Sequence, residues 1–206
     1  MKRSVVSGML AVTLAALGAT AAGAQETGTP VFQAPYRPFE QHEFGANLSA
    51  PGGNLSYALE GFYRFGYEAF DIGVRGGWAK IQDSGPTRAL LGADARTRVI
   101  SYSEKFPFDG AVTLGFGFNI GSGLPDQYYL PIGLSLGRRF NLEGSQTTFV
   151  PFVHPVLIPT WVSGDSRVDA SLGFGVDIRF GRNWAARLSG GLGDVDGVSV
   201  GLAYER

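Results

Sequence analysis

Two histidines are the side chains in this sequence best suited to general-base chemistry, and the chain contains no cysteine. A histidine beside a serine and an acid could serve acyl transfer, which is the chemistry of a lipid-modifying enzyme. His154 lies in the run Phe152-Val153-His154-Pro155 without a neighbouring serine, and His42 precedes the first candidate strand. We therefore interpret His154 as an interfacial side chain. Because two histidines are also too few for a histidine-rich metal site, we expect no catalytic residue, no metal and no cofactor.

Short glycine and acidic motifs point to turns and strands rather than to ligand sites. The Gly-x-Gly pairs beginning at Gly115, Gly121 and Gly173 lack the full dinucleotide spacing at a strand-to-helix turn. The run Asp194-Val195-Asp196-Gly197 lacks the third ligand and the distal glutamate of a calcium loop. The polar groups left to explain are arginines and carboxylates.

Those charged residues occupy one face of a pattern that alternates between apolar and polar residues from Phe44 onward. In the clearest run, the odd positions from Asp169 to Arg179 are polar or glycine, whereas the even positions from Val168 to Phe180 are apolar. A period of two is typical of a strand and incompatible with a helix. Segments of about ten residues separated by turn residues predict membrane-spanning strands. We count ten such strands, and the least regular lies near residues 148–158.

We expect the charged side chains on the polar face to line a narrow lumen and to form ion pairs with one another. Arginine suits such an interior better than lysine because its planar guanidinium binds carboxylates with two parallel hydrogen bonds. A charge-lined selectivity filter is the alternative, although six arginines and five acids nearly cancel, whereas a filter favours one sign. The candidates are Glu60, Arg64, Asp71, Arg75, Arg88, Asp94, Arg96, Asp169, Asp177, Arg179 and Arg187.

The first 42 residues divide into two segments that precede the strands. Residues 1–24 have a basic start, an apolar stretch and the small-residue site Ala22-Gly23-Ala24, which predict a cleaved signal peptide. Residues 25–42 contain Pro30, Pro35 and Pro38 and are predicted to be an irregular segment, either periplasmic or plug-like. The barrel is then expected over residues 43–206. The chain's formal net charge of −1 excludes a nucleic-acid partner recruited by a large positive charge.

Closure into an antiparallel up-and-down barrel is the expected all-β fold, because every strand in a bilayer must pair on both edges. We expect ten strands, with eight as the alternative. The connection from Ile100 to Asp109 looks too long for an inner turn, and Pro151, Pro155 and Pro159 would remove ladder donors from the seventh strand. Long outward connections are expected at 81–87, 120–127 and 159–167, and short turns at 65–68 and 180–183. Aromatic residues predicted at one membrane interface are Phe65, Phe140, Phe180 and Tyr204.

With its signal peptide, ten-residue alternating strands and interface aromatics, the chain resembles the small Gram-negative outer-membrane β-barrel proteins of the OmpA-transmembrane, OmpX and OmpW kind. This resemblance implies an outer-membrane location, contact with membrane lipids, and a final strand (Val198, Val200, Leu202, Tyr204) recognised by the barrel assembly machinery. Here Glu205 and Arg206 follow the terminal aromatic. We expect a monomer, not an enzyme, with a structural or interaction role or a narrow porin-like passage for small solutes. The alternatives are a lipid-modifying outer-membrane enzyme and a soluble periplasmic barrel that binds a hydrophobic ligand.

Overall fold

A computed structural model describes residues 26–37, 39–82 and 85–206. The predicted signal peptide, residues 1–24, lies outside the described residues. Within the described ranges, no helix is long and apolar enough to cross a membrane.

In the described part of the chain, ten antiparallel strands form a single sheet in which each strand pairs with the next and the last pairs with the first. The sheet is therefore a closed barrel, which confirms the predicted fold and its ten strands. The sixth strand consists of three short segments, of which the first two pair with both neighbouring strands and the third pairs with the seventh strand. The strands are β1 (His42–Pro51), β2 (Leu55–Tyr67), β3 (Phe70–Ile81), β4 (Thr87–Ile100), β5 (Asp109–Gly121), β6 (Gln127–Tyr129, Ile132–Gly137 and Phe140–Asn141), β7 (Thr148–Val162), β8 (Asp165–Phe180), β9 (Trp184–Gly193) and β10 (Gly197–Glu205).

Closure between β1 and β10 places both ends of the strand series at one end of the barrel. Phe44 of β1 lies opposite Tyr63 of β2 on one side and opposite Tyr204 of β10 on the other. We call this the terminal end, and it carries connections 68–69, 101–108, 142–147 and 181–183. The opposite, hairpin end carries connections 52–54, 82–86, 122–126, 163–164 and 194–196.

The connections do not show the predicted contrast between long outward loops and short inner turns. The loop expected at 159–167 is a two-residue turn at Ser163 and Gly164, because β7 and β8 pair all the way to Val162 and Asp165. The φ angles of Ser163 and Gly164 are 53° and 92°, both in the left-handed region that tight hairpin turns require. The longest connection, 101–108, lies at the terminal end.

The three prolines of β7 direct their missing N–H groups toward β6. The carbonyl oxygens of Pro159 and Pro151 accept hydrogen bonds from the amides of Leu130 and Arg138, at 2.9 and 3.3 Å. Because the amide and carbonyl of one residue in an antiparallel strand point the same way, these prolines have no donor to offer β6. Strand β6 is broken opposite both prolines, whereas the β7–β8 ladder runs unbroken from Asp165 to Arg179. The eight-strand alternative is wrong because the prolines interrupt only one of the two ladders of β7.

The irregular segment after the predicted signal peptide lies inside the barrel. We call residues 26–37 the lumen strap; they contain turns and bends but no strand, and most of them are buried. Its apolar side chains pack against an apolar inner face of β7, a feature that the alternation pattern does not anticipate. The members of this cluster are Phe32, Ala34, Tyr36, Tyr129, Val150, Phe152, Val156, Ile158 and Val195.

The outer surface of the barrel is apolar and is bordered by aromatic side chains. An exposed aliphatic belt includes Leu48, Val74, Leu114, Leu157 and Leu188. Of the predicted interface aromatics, Phe65, Phe140 and Phe180 are exposed at the terminal end, and Tyr204 packs between Phe44 and Trp184. Aromatics at the hairpin end, which sequence reasoning did not select, are Tyr57, Trp78, Tyr128 and Trp161.

Candidate functional site: the charged lumen and its strap

A cluster of two arginines and two aspartates lies inside the barrel on β2, β3 and β4. Arg64 binds Asp94 with two parallel hydrogen bonds of 3.0 and 2.6 Å. Its Nε and Nη2 donate to one oxygen of Asp71 at 2.9 and 2.5 Å, and the second Asp71 oxygen accepts from Nε of Arg96 at 3.0 Å. All four side chains are buried. Pairing of this kind lowers the cost of holding charges away from water.

A second group of polar contacts attaches the start of the lumen strap to β2 and β3. Arg75 forms an ion pair with Glu26, and both side chains are buried. The carboxylate of Glu60 accepts hydrogen bonds from the hydroxyls of Thr27 and Thr29, at 2.7 and 2.6 Å. Glu60 is thus held by the strap rather than by an arginine. Polar side chains of the strap thus provide hydrogen-bond partners for the buried charged side chains of the wall, and the wall does the same for the strap.

A third group lies near the terminal end on β1, β8, β9 and β10. Arg187 forms an ion pair with Glu43, and its Nε lies 3.6 Å from Asp177. Arg179 Nε lies 2.7 Å from an oxygen of Glu205. Glu43 and Glu205 are opposite each other in the β1–β10 register and are almost fully buried. One arginine for each glutamate offsets the repulsion between two neighbouring carboxylates.

Two predicted members of the ion-pair set have other contacts. Arg88 donates to the backbone carbonyls of Asn119, Gly121, Leu124 and Pro125 at 2.6 to 2.9 Å. It therefore holds the 122–126 connection in place, and among the described residues the carboxylate in range is that of the exposed Asp126, 3.6 Å away. Asp169 pairs along its own strand with Arg167, at 2.8 Å.

His154 is a lumen residue, so its interpretation as an interfacial side chain is wrong. Its side chain is fully buried, its Nε2 lies 2.9 Å from the hydroxyl of Thr113, and its Nδ1 accepts a hydrogen bond from the backbone amide of Gln33 at 3.4 Å. The ring of Phe32 packs edge-on against it at 5.9 Å. The alternation along β7 explains this location. The side chains at even positions of β7 point into the barrel, and His154 is the even position between Phe152 and Val156.

The backbone of the lumen strap bonds to polar side chains of the wall. Ser189 donates to the carbonyl of Pro30 at 2.6 Å, and the amide of Phe32 donates back to Ser189 at 3.3 Å. Ser135 donates to the carbonyl of Gln33 at 2.5 Å. An irregular backbone buried inside the barrel needs such partners because its N–H and C=O groups have no neighbouring strand to pair with.

Little space remains in the lumen around the strap. A cavity of about 30 Å³ lies between Val31–Ala34 and the charged wall, and one of about 40 Å³ lies at the hairpin end around Gly28. Each has room for one or a few water molecules. A wider cavity of about 310 Å³ is found at the terminal end, around Tyr36 and Arg139. The lumen is thus blocked along its middle and hairpin-end parts.

Sequence reasoning missed the lumen residues that precede the strands or lie at their ends. Glu26, Thr27 and Thr29 belong to a segment without periodicity, so no pattern marks them as partners of Arg75 and Glu60. Glu43 and Glu205 do follow the alternation. Counting polar positions from the first residues of β1 and through the last residue of β10 would have found both of them.

Comparisons with known proteins give fold-level similarity. No family model and no curated protein matches the chain. Similar solved structures include a bacterial polysaccharide outer membrane secretin, with TM-score 0.44, 13% identity, and 81% of this chain aligned to 65% of that one. The chain thus spans less than two thirds of the secretin's length. Another is the β-domain of the Bordetella autotransporter BrkA, with TM-score 0.49, 13% identity, and 81% of this chain aligned to 100% of that one. A third is the KdgM porin, with TM-score 0.39, 11% identity, and 81% of this chain aligned to 99% of that one.

Proposed function

We propose that this chain is an outer-membrane β-barrel whose lumen is closed by its own strap, and that it acts as a structural or interaction protein rather than as an open pore. The observation that carries the proposal is the burial of the lumen strap among charged wall residues. An open pore needs a continuous water-filled path, whereas here Glu26, Phe32 and Tyr36 occupy successive parts of the lumen.

The membrane part of this proposal is supported by the inverted distribution of polar and apolar side chains. Large apolar residues on every strand are exposed, whereas Arg64, Asp71 and Asp94 are buried. Soluble monomers rarely expose apolar patches of more than a few hundred Å². A continuous belt bordered by aromatics at both ends is typical of outer-membrane barrels. The soluble-barrel alternative would require the apolar face to line the cavity, and the interior instead holds the charges.

We further propose that the barrel is a monomer, that its partners are outer-membrane lipids and, during biogenesis, the barrel assembly machinery, and that it catalyses no reaction. We also propose that the chain is related to the small outer-membrane barrels of the OmpA, OmpX and OmpW kind. The location of His154 supports the absence of lipid-modifying activity. A catalytic imidazole would have to reach the ester bond of a lipid, whereas the lumen strap covers the imidazole of His154.

Cell fractionation and heat-modifiability test the membrane assignment. The protein should be recovered with outer membranes and should migrate differently on SDS gels before and after heating, because a closed hydrogen-bonded wall resists detergent. Recovery in the aqueous phase without a mobility shift would overturn it.

Planar-bilayer recordings test closure of the lumen. The full chain should give no stepwise conductance, whereas a variant lacking residues 26–37 should give discrete steps. A matched control replaces residues 102–107 of the terminal-end connection with glycine and serine, which leaves the strap in place and should stay silent. Steps of equal size from the full chain and the strap-deleted variant would contradict closure and favour a solute passage.

A further inference from the structure

A cavity at the terminal end of the lumen strap has four arginines in its lining. We call it the terminal vestibule: the space of about 310 Å³ at the terminal end, lined on different sides by Arg37, Arg96, Arg98 and Arg139. These residues come from the strap, from β4 and from the end of β6, so the fold gathers them from distant parts of the chain. A cavity of this size has room for roughly ten water molecules.

The carboxylates around the vestibule are already engaged or stand apart from the arginines. Asp71 accepts from both Arg64 and Arg96. Asp109 accepts hydrogen bonds from the hydroxyl of Tyr36 and from the amide of Tyr102, and it lies 3.9 Å from the half-exposed Arg98. The remaining lining carboxylate is Glu68, in the 68–69 turn. The arginine charge is therefore only partly offset.

One buried arginine nitrogen at the vestibule has no acceptor among the described residues. Arg96 is 4% exposed, and its Nη2 atom is buried without a hydrogen-bond partner. The guanidinium carbon of Arg139 lies over the ring of Tyr36, 4.5 Å from its centroid, in a cation–π contact. Arg37 donates to the carbonyl of Phe70 at 3.0 Å through one of its nitrogens. A buried donor without an acceptor is costly unless a ligand or water supplies one.

We propose that the terminal vestibule is a binding site for a small oxyanion of the phosphate or sulfate class. Such a group presents several acceptor oxygens, and arginine matches their geometry better than any other side chain. The vestibule opens away from the strap-filled part of the lumen, so binding does not require the barrel to conduct. This proposal is independent of whether the lumen is closed. The ligand is either a free solute or the headgroup of a lipid at the rim.

Titration calorimetry with inorganic phosphate tests the site, using the full barrel in nanodiscs of a zwitterionic lipid. Saturable binding is expected, and Arg98→Gln and Arg139→Gln should each weaken it by roughly tenfold, the usual effect of losing a charged hydrogen bond. Both side chains are exposed, so heat-modifiability should be unchanged. The matched control is Arg138→Gln, which removes the same charge from a neighbour that instead stacks on Tyr102 and Phe140.

Two results would overturn the proposal. One is the absence of saturable phosphate binding to the parent protein. The other is equal weakening by Arg138→Gln and Arg139→Gln, which would indicate attraction to the general charge of this end rather than a site. A second arm identifies the source in nanodiscs containing phosphatidylglycerol. Retained phosphate binding there assigns the site to a free solute, and its loss assigns the same site to a lipid headgroup.

Discussion

The guanidinium of Arg96 donates a hydrogen bond of 2.6 Å to the backbone carbonyl of Ala34, and thereby joins the wall of the barrel to the strap inside it. The same side chain pairs with Asp71, which in turn pairs with Arg64. Strap and charged wall therefore form one hydrogen-bonded unit. Removing either one leaves buried polar groups of the other without partners, so each change below is expected to affect both.

Replacing Thr27 and Thr29 by valine should loosen the lumen strap. The double variant keeps side-chain shape but leaves the buried carboxylate of Glu60 without its two hydroxyl donors. An unsatisfied buried acceptor costs about 1–3 kcal/mol, and we expect a loss in this range or slightly above it in urea unfolding. Hydrogen exchange of residues 26–37 should rise as well. The control, Ser145→Ala with Thr147→Val, removes a hydroxyl pair in an exposed turn and should change neither quantity. Unaltered exchange in the Thr27 and Thr29 variant would contradict the role of Glu60.

Arg64→Met should be among the most destabilising single substitutions in the barrel. It leaves Asp71 and Asp94 buried with one guanidinium fewer between them. Removing one partner from a buried ionic network typically costs about 3–5 kcal/mol. Adding Asp94→Asn should recover part of that loss, because the unpaired charge disappears. Arg182→Met, in the exposed 181–183 turn, should stay within about 0.5 kcal/mol of the parent. A loss below 1 kcal/mol for Arg64→Met would argue that water solvates the cluster.

Gly173→Ala should push the strap away from β8. A Cβ at Gly173 would overlap the ring of Phe32, which packs edge-on against His154. Overpacking of this kind typically costs about 1–3 kcal/mol. In a Phe32→Ala background the same glycine substitution should cost much less, and a double-mutant cycle measures the difference. Gly61→Ala is the control, because the nearest atoms to its added Cβ are 3.9 Å away. Equal costs of Gly173→Ala in both backgrounds would rule out the contact.

The strap's anchor at the terminal end should be released only at high pH. Burial, together with the hydrogen bond donated to Asp109, raises the pKa of Tyr36 to about 12, from an ordinary value near 10. A group whose pKa is higher in the folded state adds stability below its unfolded pKa and loses it as the pH rises through the folded pKa. The stability difference between the parent and Tyr36→Phe should therefore be constant below pH 10 and shrink between about pH 10 and 12. A difference that already changes between pH 7 and 9 would assign the titration to another group.

The strands follow from the sequence because the alternation of side chains is set by the geometry of a single strand, whatever its neighbours. The same periodicity places Arg75, Asp94 and Arg187 on the inner face. The periodicity does not show which charged side chains form ion pairs with one another. Arg88 donates to backbone carbonyls instead, and Glu60 accepts hydrogen bonds from the strap. Those pairings depend on a segment without periodicity that returns through the lumen. The inner face of β7 is a similar case: it is apolar because Phe32 and Ala34 pack on it, and only the assembled barrel brings them there.

The β6–β7 seam should be the part of the wall that opens most readily. Pro151, Pro155 and Pro159 supply no N–H to β6, and the β6 ladder is broken in two places, whereas β8 pairs with β7 without interruption. Fewer hydrogen bonds across one seam lower the free energy of local opening. Amides of residues 127–141 should therefore exchange faster than those of residues 165–180 in the folded protein, measured by hydrogen exchange with mass spectrometry in micelles. The segment 88–97, which pairs with both β3 and β5, should resemble β8 and serves as the internal control. Equal protection of β6 and β8 would show that the prolines do not weaken the wall.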